Sequence, residues 1–130
     1  MTAASFSIDL DPSRDLIRLR LTGFYSAGDI AHFEAELVRA HQRLDCGPKG
    51  GPLTIGDVSD MAIQSQDVVA RWGAVLANPS HQSRRLAFVV ASTLARMQLQ
   101  RVIGNRAAQV FTTVAEAEQW LFADAASTAA

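Results

Sequence analysis

Hydrophobic residues near the amino terminus alternate with polar ones, which is the spacing of a strand with one buried face. Phe6, Ile8 and Leu10 follow this pattern, and it resumes over 16–21 after the sequence Asp-Pro-Ser-Arg-Asp at 11–15. Proline restricts its own φ angle, and Asp and Ser side chains can bond nearby backbone groups, so this sequence favours a turn. This part of the chain therefore predicts a β-hairpin with one solvated face, at an edge of a sheet.

Four later segments have helical spacing, with apolar residues recurring every three or four positions. The first runs from Ile30 to Leu44 and is preceded by Ser26 and Asp29, which have the spacing of a capping box. Each segment begins after a hydroxyl-bearing residue that can accept a hydrogen bond from the first helical turn. The predicted N-caps are Ser26, Ser65, Ser92 or Thr93, and Thr112 or Thr113.

Three apolar runs between these helices predict further strands. The run at 53–58 ends among polar residues, the run at 86–91 is the most apolar in the sequence, and a short run occupies 107–111. A continuous apolar run suits a strand covered by helices on both faces, so 86–91 is predicted to be the central strand. The resulting order is ββαβαβαβα, an α/β fold with a mixed β-sheet against which the helices pack.

The composition fits one packed domain. Of 130 residues, 48% are hydrophobic and 19% are charged, which indicates a folded rather than a disordered chain. We expect a single domain over 1–122 and a frayed tail over 123–130, where the sequence becomes small and polar.

Charge, cysteine content and hydropathy argue against several function classes. The net charge of −1 gives no reason to expect binding to nucleic acid. No stretch approaches the ~20 apolar residues of a membrane span, and the amino terminus lacks the pattern of a signal peptide. The single cysteine, Cys46, cannot form an intramolecular disulfide, which favours a reducing compartment. We therefore expect a cytoplasmic protein without a membrane span.

Several local sequences, taken in order, resemble the STAS fold (sulfate transporter and anti-sigma-factor antagonist). The resemblance is to its SpoIIAA-like branch, whose core is shared with the CRAL-TRIO lipid-binding domains. LTIGDVS at 53–59 is similar to the family's apolar strand ending in D-x-S. RRLAFVVAS at 84–92, ARM at 95–97 and VFTTVAEAEQWL at 110–121 are similar to its later strands and helices. The resemblance spans about residues 5–122 and implies a non-enzymatic, bacterial-type regulatory or protein-interaction module.

The resemblance also implies where a phospho-switch should lie. In anti-sigma-factor antagonists, an Asp-Ser pair at the start of the helix after D-x-S carries the serine that a partner kinase phosphorylates. That pair falls here on Ser65 and Gln66, and glutamine has no hydroxyl to modify. Ser65 fits an ordinary N-cap better than a displaced phosphoacceptor. We therefore expect a partner-binding surface without the usual phosphoacceptor serine, and its candidate residues are Asp57, Ser59, Asp60, Ser65 and Gln66.

A second hypothesis is a small-molecule carrier or sensor that binds an apolar or lipid-like anion. The crevice outside the carboxyl ends of the strands is where open α/β sheets tend to bind ligands. Leu94 and Met97 lie off the apolar stripe of the third helix, and Arg96 or Arg101 could face an acidic group. A lipid-like ligand is suggested only by the likeness to CRAL-TRIO domains. The candidate ligand-binding residues are Trp72, Ser92, Thr93, Arg96 and Met97.

The sequence predicts no catalytic residues, no metal site and no cofactor. Asp57 and Asp60 are close in sequence, but acids that solvate a turn are commoner than catalytic pairs, and no third ligand suggests itself. His41 falls on the apolar stripe of its helix, where a half-buried histidine with satisfied hydrogen bonds is expected. The off-stripe residues of the third helix are also compatible with a homodimer.

Overall fold

The chain folds into a five-stranded mixed sheet and four helices. The computed structural model describes residues 3–46, 48, 50–62, 64–103 and 108–129. The strands are β1 (Ser5–Asp11), β2 (Leu16–Gly23), β3 (Leu53–Met61), β4 (Arg85–Val89) and β5 (Ala108–Phe111). The helices are α1 (Ala27–Leu44), α2 (Gln66–Ala77), α3 (Thr93–Ile103) and α4 (Val114–Ala129). The strands lie in chain order, with β1 antiparallel to β2 and the other neighbours parallel, so the predicted order ββαβαβαβα is confirmed.

The amino-terminal hairpin forms as its sequence predicts. β1 and β2 are joined by a 3-10 turn over Pro12–Arg14, and Asp15 closes it in the left-handed conformation, with φ of 52°. The apolar residues of β1 pack against the core, whereas Ser5, Ser7 and Asp9 are exposed. This alternation leaves β1 as an edge strand with one solvated face.

Helices cover both faces of the sheet. On one face, α1 and α2 pack on β2, and α2 and α3 pack on β4 and β5. On the opposite face, α4 packs on β3 and β4 through Ala117 and Leu121. β4 shows both layers, because Leu86 and Phe88 contact the first group of helices while Ala87 contacts α4.

The predicted central strand was wrong. β4 is covered on both faces, as expected for its continuous apolar run, but it lies fourth in the sheet and β3 is the central strand. The first four residues of β3 are as fully buried as β4, whereas its last five are partly exposed and polar in part. An apolar run therefore indicates that helices cover both faces of a strand, but it does not indicate the position of that strand in the sheet.

The N-caps are the predicted ones, and the structure resolves the open alternatives. The Asp29 backbone N–H donates to Ser26 Oγ at 3.1 Å and the Ser26 N–H donates to Asp29 Oδ2 at 2.9 Å, which completes the capping box and lowers the pKa of Asp29. Ser92, rather than Thr93, accepts from α3, and Thr113, rather than Thr112, accepts from the backbone of α4.

The last helix extends beyond the predicted end of the domain. α4 runs to Ala129 and so includes most of the segment 123–130 that was predicted to be a tail. Fraying of that segment stays a prediction. Residue 107, the predicted start of the last strand, lies outside the described residues.

Candidate functional site

β3 continues through its polar residues by means of a bulge. Arg20 on β2 pairs with Asp57, and Thr22 pairs with Asp60, so three steps along β3 oppose two along β2. The Ser59 backbone N–H and hydroxyl both donate to Asp57 Oδ1, at 3.1 and 2.6 Å. The D-x-S sequence therefore holds the extra residue in place, and the strand reaches Met61.

Arg20 connects the acidic residues of this bulge into one cluster. Its guanidinium donates from Nη1 to Asp57 Oδ2 at 3.3 Å and from Nη2 to Asp60 Oδ2. The side chains of Arg20 and Asp60 are 52% and 60% exposed, whereas that of Asp57 is 20% exposed. Asp57 follows Ile55 in the alternation of β3, which places it on the sheet face that carries α4. We call Arg20, Asp57, Ser59 and Asp60 the Arg20 cluster.

Removing the cation from the Arg20 cluster should cost little stability. We expect Arg20→Gln to lower the free energy of unfolding by less than ~1 kcal/mol, because exposed ion pairs contribute only about 0.2–1 kcal/mol. Urea denaturation measures the change, and Arg39→Gln, which breaks an exposed pair with Glu36, is the matched control. A loss above ~2 kcal/mol for Arg20→Gln alone would show that the cluster is a structural element.

The other two candidate partner-binding residues lie at the start of α2. Ser65 is the N-cap, and its Oγ accepts a hydrogen bond from the Val68 N–H at 3.4 Å. Gln66 is the first helical residue, and its side chain is exposed. α2 packs on the sheet face opposite α4, so the structure divides the five candidates between the Arg20 cluster and the α2 start. Their role in binding a partner stays a prediction.

Gln64 is a buried connecting residue that sequence reasoning missed. Its Oε1 accepts from the Tyr25 N–H at 3.1 Å, while its Nε2 donates to the carbonyls of Gly23, at 3.4 Å, and Ala62. The Gln64 backbone carbonyl accepts from Gln98 Nε2 of α3 at 3.2 Å. Gln64 thus joins the end of β2, the β3–α2 connection and α3. No local pattern marks a glutamine between a strand and an N-cap as buried.

The exposed side of α3 carries two large apolar side chains. Leu94 and Met97 are 54% and 49% exposed and lie three residues apart, on the same side of the helix. Both had been predicted to lie off the apolar stripe. The bond from Gln98 to Gln64 places this turn of α3 beside the connection that leads into α2. We call Ser65, Gln66, Leu94 and Met97 the α2–α3 surface.

An apolar cavity of about 130 Å³ lies between the sheet and helices α1, α2 and α3. From β3 it is lined by Thr54, Gly56 and Val58, which alternate with the residues that face α4. Trp72 lines it from α2, but the cavity-lining residues in the described ranges do not include Ser92, Thr93, Arg96 or Met97. The five candidate ligand-binding residues are therefore not brought together around this cavity, and their role stays a prediction.

Two histidines in the cavity wall have different surroundings. His81 is buried, and its Nε2 lies 3.0 Å from Glu34 Oε2, which also accepts from Asn78. These hydrogen bonds lower the pKa of Glu34. His41 lies with its ring centroid 5.9 Å from that of His81, and burial lowers its pKa to about 4. His41 is therefore neutral at pH 7, and the expectation that it is half-buried is confirmed. The expectation that its polar atoms are satisfied was wrong, because Nε2 has no hydrogen-bond partner among the described residues.

Two buried nitrogens of cavity-lining residues have no hydrogen-bond partner within the described part of the chain: His41 Nε2 and Trp72 Nε1. Trp72 packs edge-on against Tyr25 and Phe33, with ring centroids 5.3 and 5.6 Å apart. An indole N–H can only donate, whereas Nε2 of a neutral imidazole donates or accepts according to its tautomer. A buried polar group without a partner costs about 1–3 kcal/mol. Both residues line the cavity, but these two nitrogen atoms are themselves buried.

Cys46 is buried, with Sγ 3.6 Å from Asp15 Oδ1 and 3.7 Å from the Leu44 carbonyl. Among the described residues, no group of three or more His, Cys, Asp or Glu side chains could hold a metal ion. Within the same ranges, no helix is both long enough and apolar enough to cross a bilayer.

The fold is shared with solved structures of the SpoIIAA-like type. An uncharacterised DUF3478-family protein with a SpoIIAA-like fold from Shewanella loihica PV-4 matches with a TM-score of 0.62 at 12% identity, over 93% of this chain and 97% of that one. An anti-sigma factor antagonist from Mycobacterium paratuberculosis matches with a TM-score of 0.62 at 8% identity, over 92% and 94%. No protein-family model and no curated protein match the sequence. The chain therefore has a STAS/SpoIIAA-like fold, as the sequence resemblance predicted.

Proposed function

We propose that this chain is a non-enzymatic regulatory module that binds a partner protein through the α2–α3 surface. The observation that carries the proposal is the exposure of Leu94 and Met97 on α3, the helix that Gln98 joins to Gln64, immediately before Ser65 and Gln66. Protein interfaces combine an apolar centre with a polar rim, and methionine is enriched in them. The likeness to an anti-sigma factor antagonist is consistent with a regulatory role.

The charge around this surface suggests what kind of partner it suits. No acidic residue occurs in the sequence between Asp67 and Glu116, and Arg101 on α3 is exposed. Arg85, by contrast, packs within the domain, where its guanidinium carbon Cζ lies 3.9 Å from the centre of the Trp120 ring. We infer that the partner presents an apolar patch with an acidic rim, since opposite charges steer association and favour the correct orientation.

The hydroxyl groups of the candidate partner-binding residues support regulation by binding rather than by chemistry on this chain. Gln66 occupies the position of the phosphoacceptor that the STAS resemblance implies, and the Ser65 hydroxyl caps α2. The Ser59 hydroxyl donates to Asp57 within the bulge, which is a structural use and not that of an activated nucleophile. A cytoplasmic location is part of the same proposal, because a single buried cysteine suits a reducing compartment.

Polar replacement of the apolar centre should abolish partner binding without unfolding the domain. Partner binding to the immobilised wild type is compared with binding to two immobilised variants. These are the double variant Leu94→Ser/Met97→Ser and the single variant Val114→Ser. Val114 is the matched control, because it is 39% exposed but belongs to α4 on the other side of the sheet. We expect a partner to bind the wild type and the control alike, and to bind the double variant at least about tenfold more weakly, as is typical when apolar anchors are lost.

The same variants separate a foreign partner from a second copy of the chain. Sedimentation of the purified wild type and double variant measures the oligomeric state, and a dimer lost in the double variant would identify the partner as this protein itself. If every interaction of the wild type survives in the double variant, the proposed surface is wrong.

A further inference from the structure

We propose that the cavity between the sheet and helices α1–α3 binds a small, neutral, nonpolar molecule of about one ring, such as a monocyclic hydrocarbon. The proposal concerns the interior of the domain and holds whether or not the α2–α3 surface binds a partner. It rests on the size of the cavity, on a wall whose polar side chains bond within the domain, and on the partly exposed residues where the cavity meets the surface.

The size of the cavity limits the ligand to about one six-membered ring. Its volume is about 130 Å³, and an apolar protein cavity of roughly 150 Å³ binds benzene. Two small residues face it, Gly56 from β3 and Ala95 from α3. A Cβ added at Gly56 would lie 3.2 Å from Phe88 Cδ1, so glycine allows the Phe88 ring to lie close against the sheet. Protein interiors otherwise contain few voids larger than a water molecule, so a ligand in this space gains contacts that the protein does not supply to itself.

The wall disfavours a charged ligand. Among the described residues that line the cavity, none is Asp, Glu, Lys or Arg. Burial lowers the pKa of His41 to about 4, which keeps its ring neutral at pH 7. An ion would lose its hydration without gaining a counter-charge, which strongly opposes its entry. The cavity therefore does not suit the anion expected from the sequence, and Arg96 does not line it.

The polar side chains that line the cavity form hydrogen bonds within the domain. The hydroxyls of Thr54 and Ser83 bond to each other at 2.7 Å. Gln98 Nε2 donates to the backbone carbonyl of Gln64, whose own side chain bonds to the backbone of two buried residues. His81 Nε2 lies 3.0 Å from a glutamate oxygen of α1. These groups are therefore already engaged within the fold.

The two nitrogens that lack a partner among the described residues do not change this character of the wall. His41 Nε2 and Trp72 Nε1 are themselves buried, so they are not presented to a ligand. A ligand hydroxyl would lose its hydrogen bonds to water on entering the cavity and would gain no replacement. A nonpolar molecule loses no such bonds, and the burial of its surface favours binding. The wall thus selects a hydrocarbon over an alcohol, a phenol or an acid.

The cavity reaches the surface between α2 and α3. Val69 and Leu76 of α2 line it, as do Ala95 and Leu99 of α3, and all four residues are partly exposed. Their side chains are apolar, so they form an entrance that matches the interior of the cavity. The structure therefore provides a route for a nonpolar ligand between these two helices.

Toluene is the probe, and methyl groups provide a test with an internal control. In carbon–proton correlation NMR of the full chain, the methyl signals of Leu19 and Val75 report on the cavity, and those of Leu16 and Leu121 report on the opposite face of the sheet. We expect toluene to shift the first pair saturably, with a Kd of about 1 mM or tighter for a ligand of this size, and to leave the second pair in place. The absence of a saturable shift of the first pair at ~5 mM toluene, or equal shifts of both pairs, would overturn the proposal.

Related probes test the polarity of the ligand on the unaltered protein. Phenol has a hydroxyl in place of the methyl group of toluene and should bind at least about fivefold more weakly, which is the effect of burying a hydroxyl without a partner. Benzoate, which is charged, should give no saturable shift. If phenol binds as tightly as toluene, or if benzoate binds, the assignment of a neutral nonpolar ligand is wrong.

A filled cavity gives the complementary result. Ala95 lines the cavity from α3, and Ala95→Leu places a larger apolar side chain in the space of the ligand. Ala74→Leu is the matched control, because Ala74 is an exposed residue of α2 that does not line the cavity. Toluene should no longer shift the Val75 signal in Ala95→Leu and should bind the control as it binds the wild type, while unchanged Leu121 signals report that the domain is folded. A wild-type Kd in Ala95→Leu would place the binding of toluene elsewhere and would overturn the proposal. If that variant does not fold, the comparison of toluene, phenol and benzoate on the wild type still decides the question.

Discussion

Replacing Gln64 by alanine should lower the free energy of unfolding by about 3 kcal/mol. The Gln64 side chain is the hydrogen-bond partner of the Tyr25 N–H and the Gly23 carbonyl, and both of those residues are buried. Truncation leaves these backbone groups unpaired, and each such group costs about 1–3 kcal/mol. The Ala62 carbonyl belongs to an exposed residue, where water can replace the lost bond. Urea denaturation, followed by circular dichroism, measures the loss.

Gln66→Ala is the matched control for this prediction. It makes the same truncation two residues further on, at an exposed position, and should change the stability by no more than about 0.5 kcal/mol. Gln64→Glu should lose at least as much stability at pH 7 as Gln64→Ala, because its buried carboxylate would face the Gly23 and Ala62 carbonyl oxygens without a counter-charge. A loss below ~1 kcal/mol for Gln64→Ala would mean that water enters and satisfies the same groups.

The two glutamines also separate stability from partner binding. The Gln64 side chain holds the connection into α2 against Tyr25 and Gly23, so its loss should displace the start of α2, although the backbone carbonyl that accepts from Gln98 remains in the variant. Gln66 belongs to the α2–α3 surface, and its side chain is exposed rather than packed in the core. A binding defect in Gln66→Ala at wild-type stability would therefore report a direct contact, whereas a defect in Gln64→Ala would report a displaced surface.

The elements of this fold could be predicted because their signals are local. The hairpin follows from alternation and a turn sequence, and the start of α1 follows from Ser26 and Asp29, which lie within one helical turn of each other. The position of a strand in the sheet is not local. β3 is central because β2 and β4 both pair with it, and the sequence of residues 53–61 does not indicate which strands those partners are.

The candidate site was predicted less completely, for the same reason. Asp57 and Ser59 were recognised as a motif, but their role in a bulge depends on Arg20, which lies 37 residues earlier in the chain. The cavity is formed by side chains from three strands and three helices, so no single window of sequence could reveal it. Of the predicted ligand residues only Trp72 lines it, because an apolar stripe fixes which residues face inward but not where packing leaves a space.

The stability of the domain should fall as the pH is lowered from 6.5 towards 4. His41 has an ordinary pKa of 6.5, and burial lowers it to about 4 in the folded chain. Between these values the unfolded chain binds a proton that the folded chain does not, so protons favour unfolding. Because His41 is only half-buried, we expect a loss of roughly 1–2 kcal/mol, below the value that the full shift would give. The lowered pKa of Glu34 adds a loss of the same sign at pH below 4.5.

The substitution His41→Leu should remove most of this pH dependence of stability. His41→Leu eliminates the titrating group and the unpaired Nε2, so the variant should match the wild type within about 1 kcal/mol at pH 7 and exceed its stability at pH 5. His32 lies on the same helix but is exposed, and His32→Gln serves as the control that should keep the wild-type profile. Urea denaturation at half-unit steps of pH gives the three curves. His81 and Glu34, the titratable groups beside His41, are present in all three proteins, so an equal decline in His41→Leu would assign the effect to that pair instead.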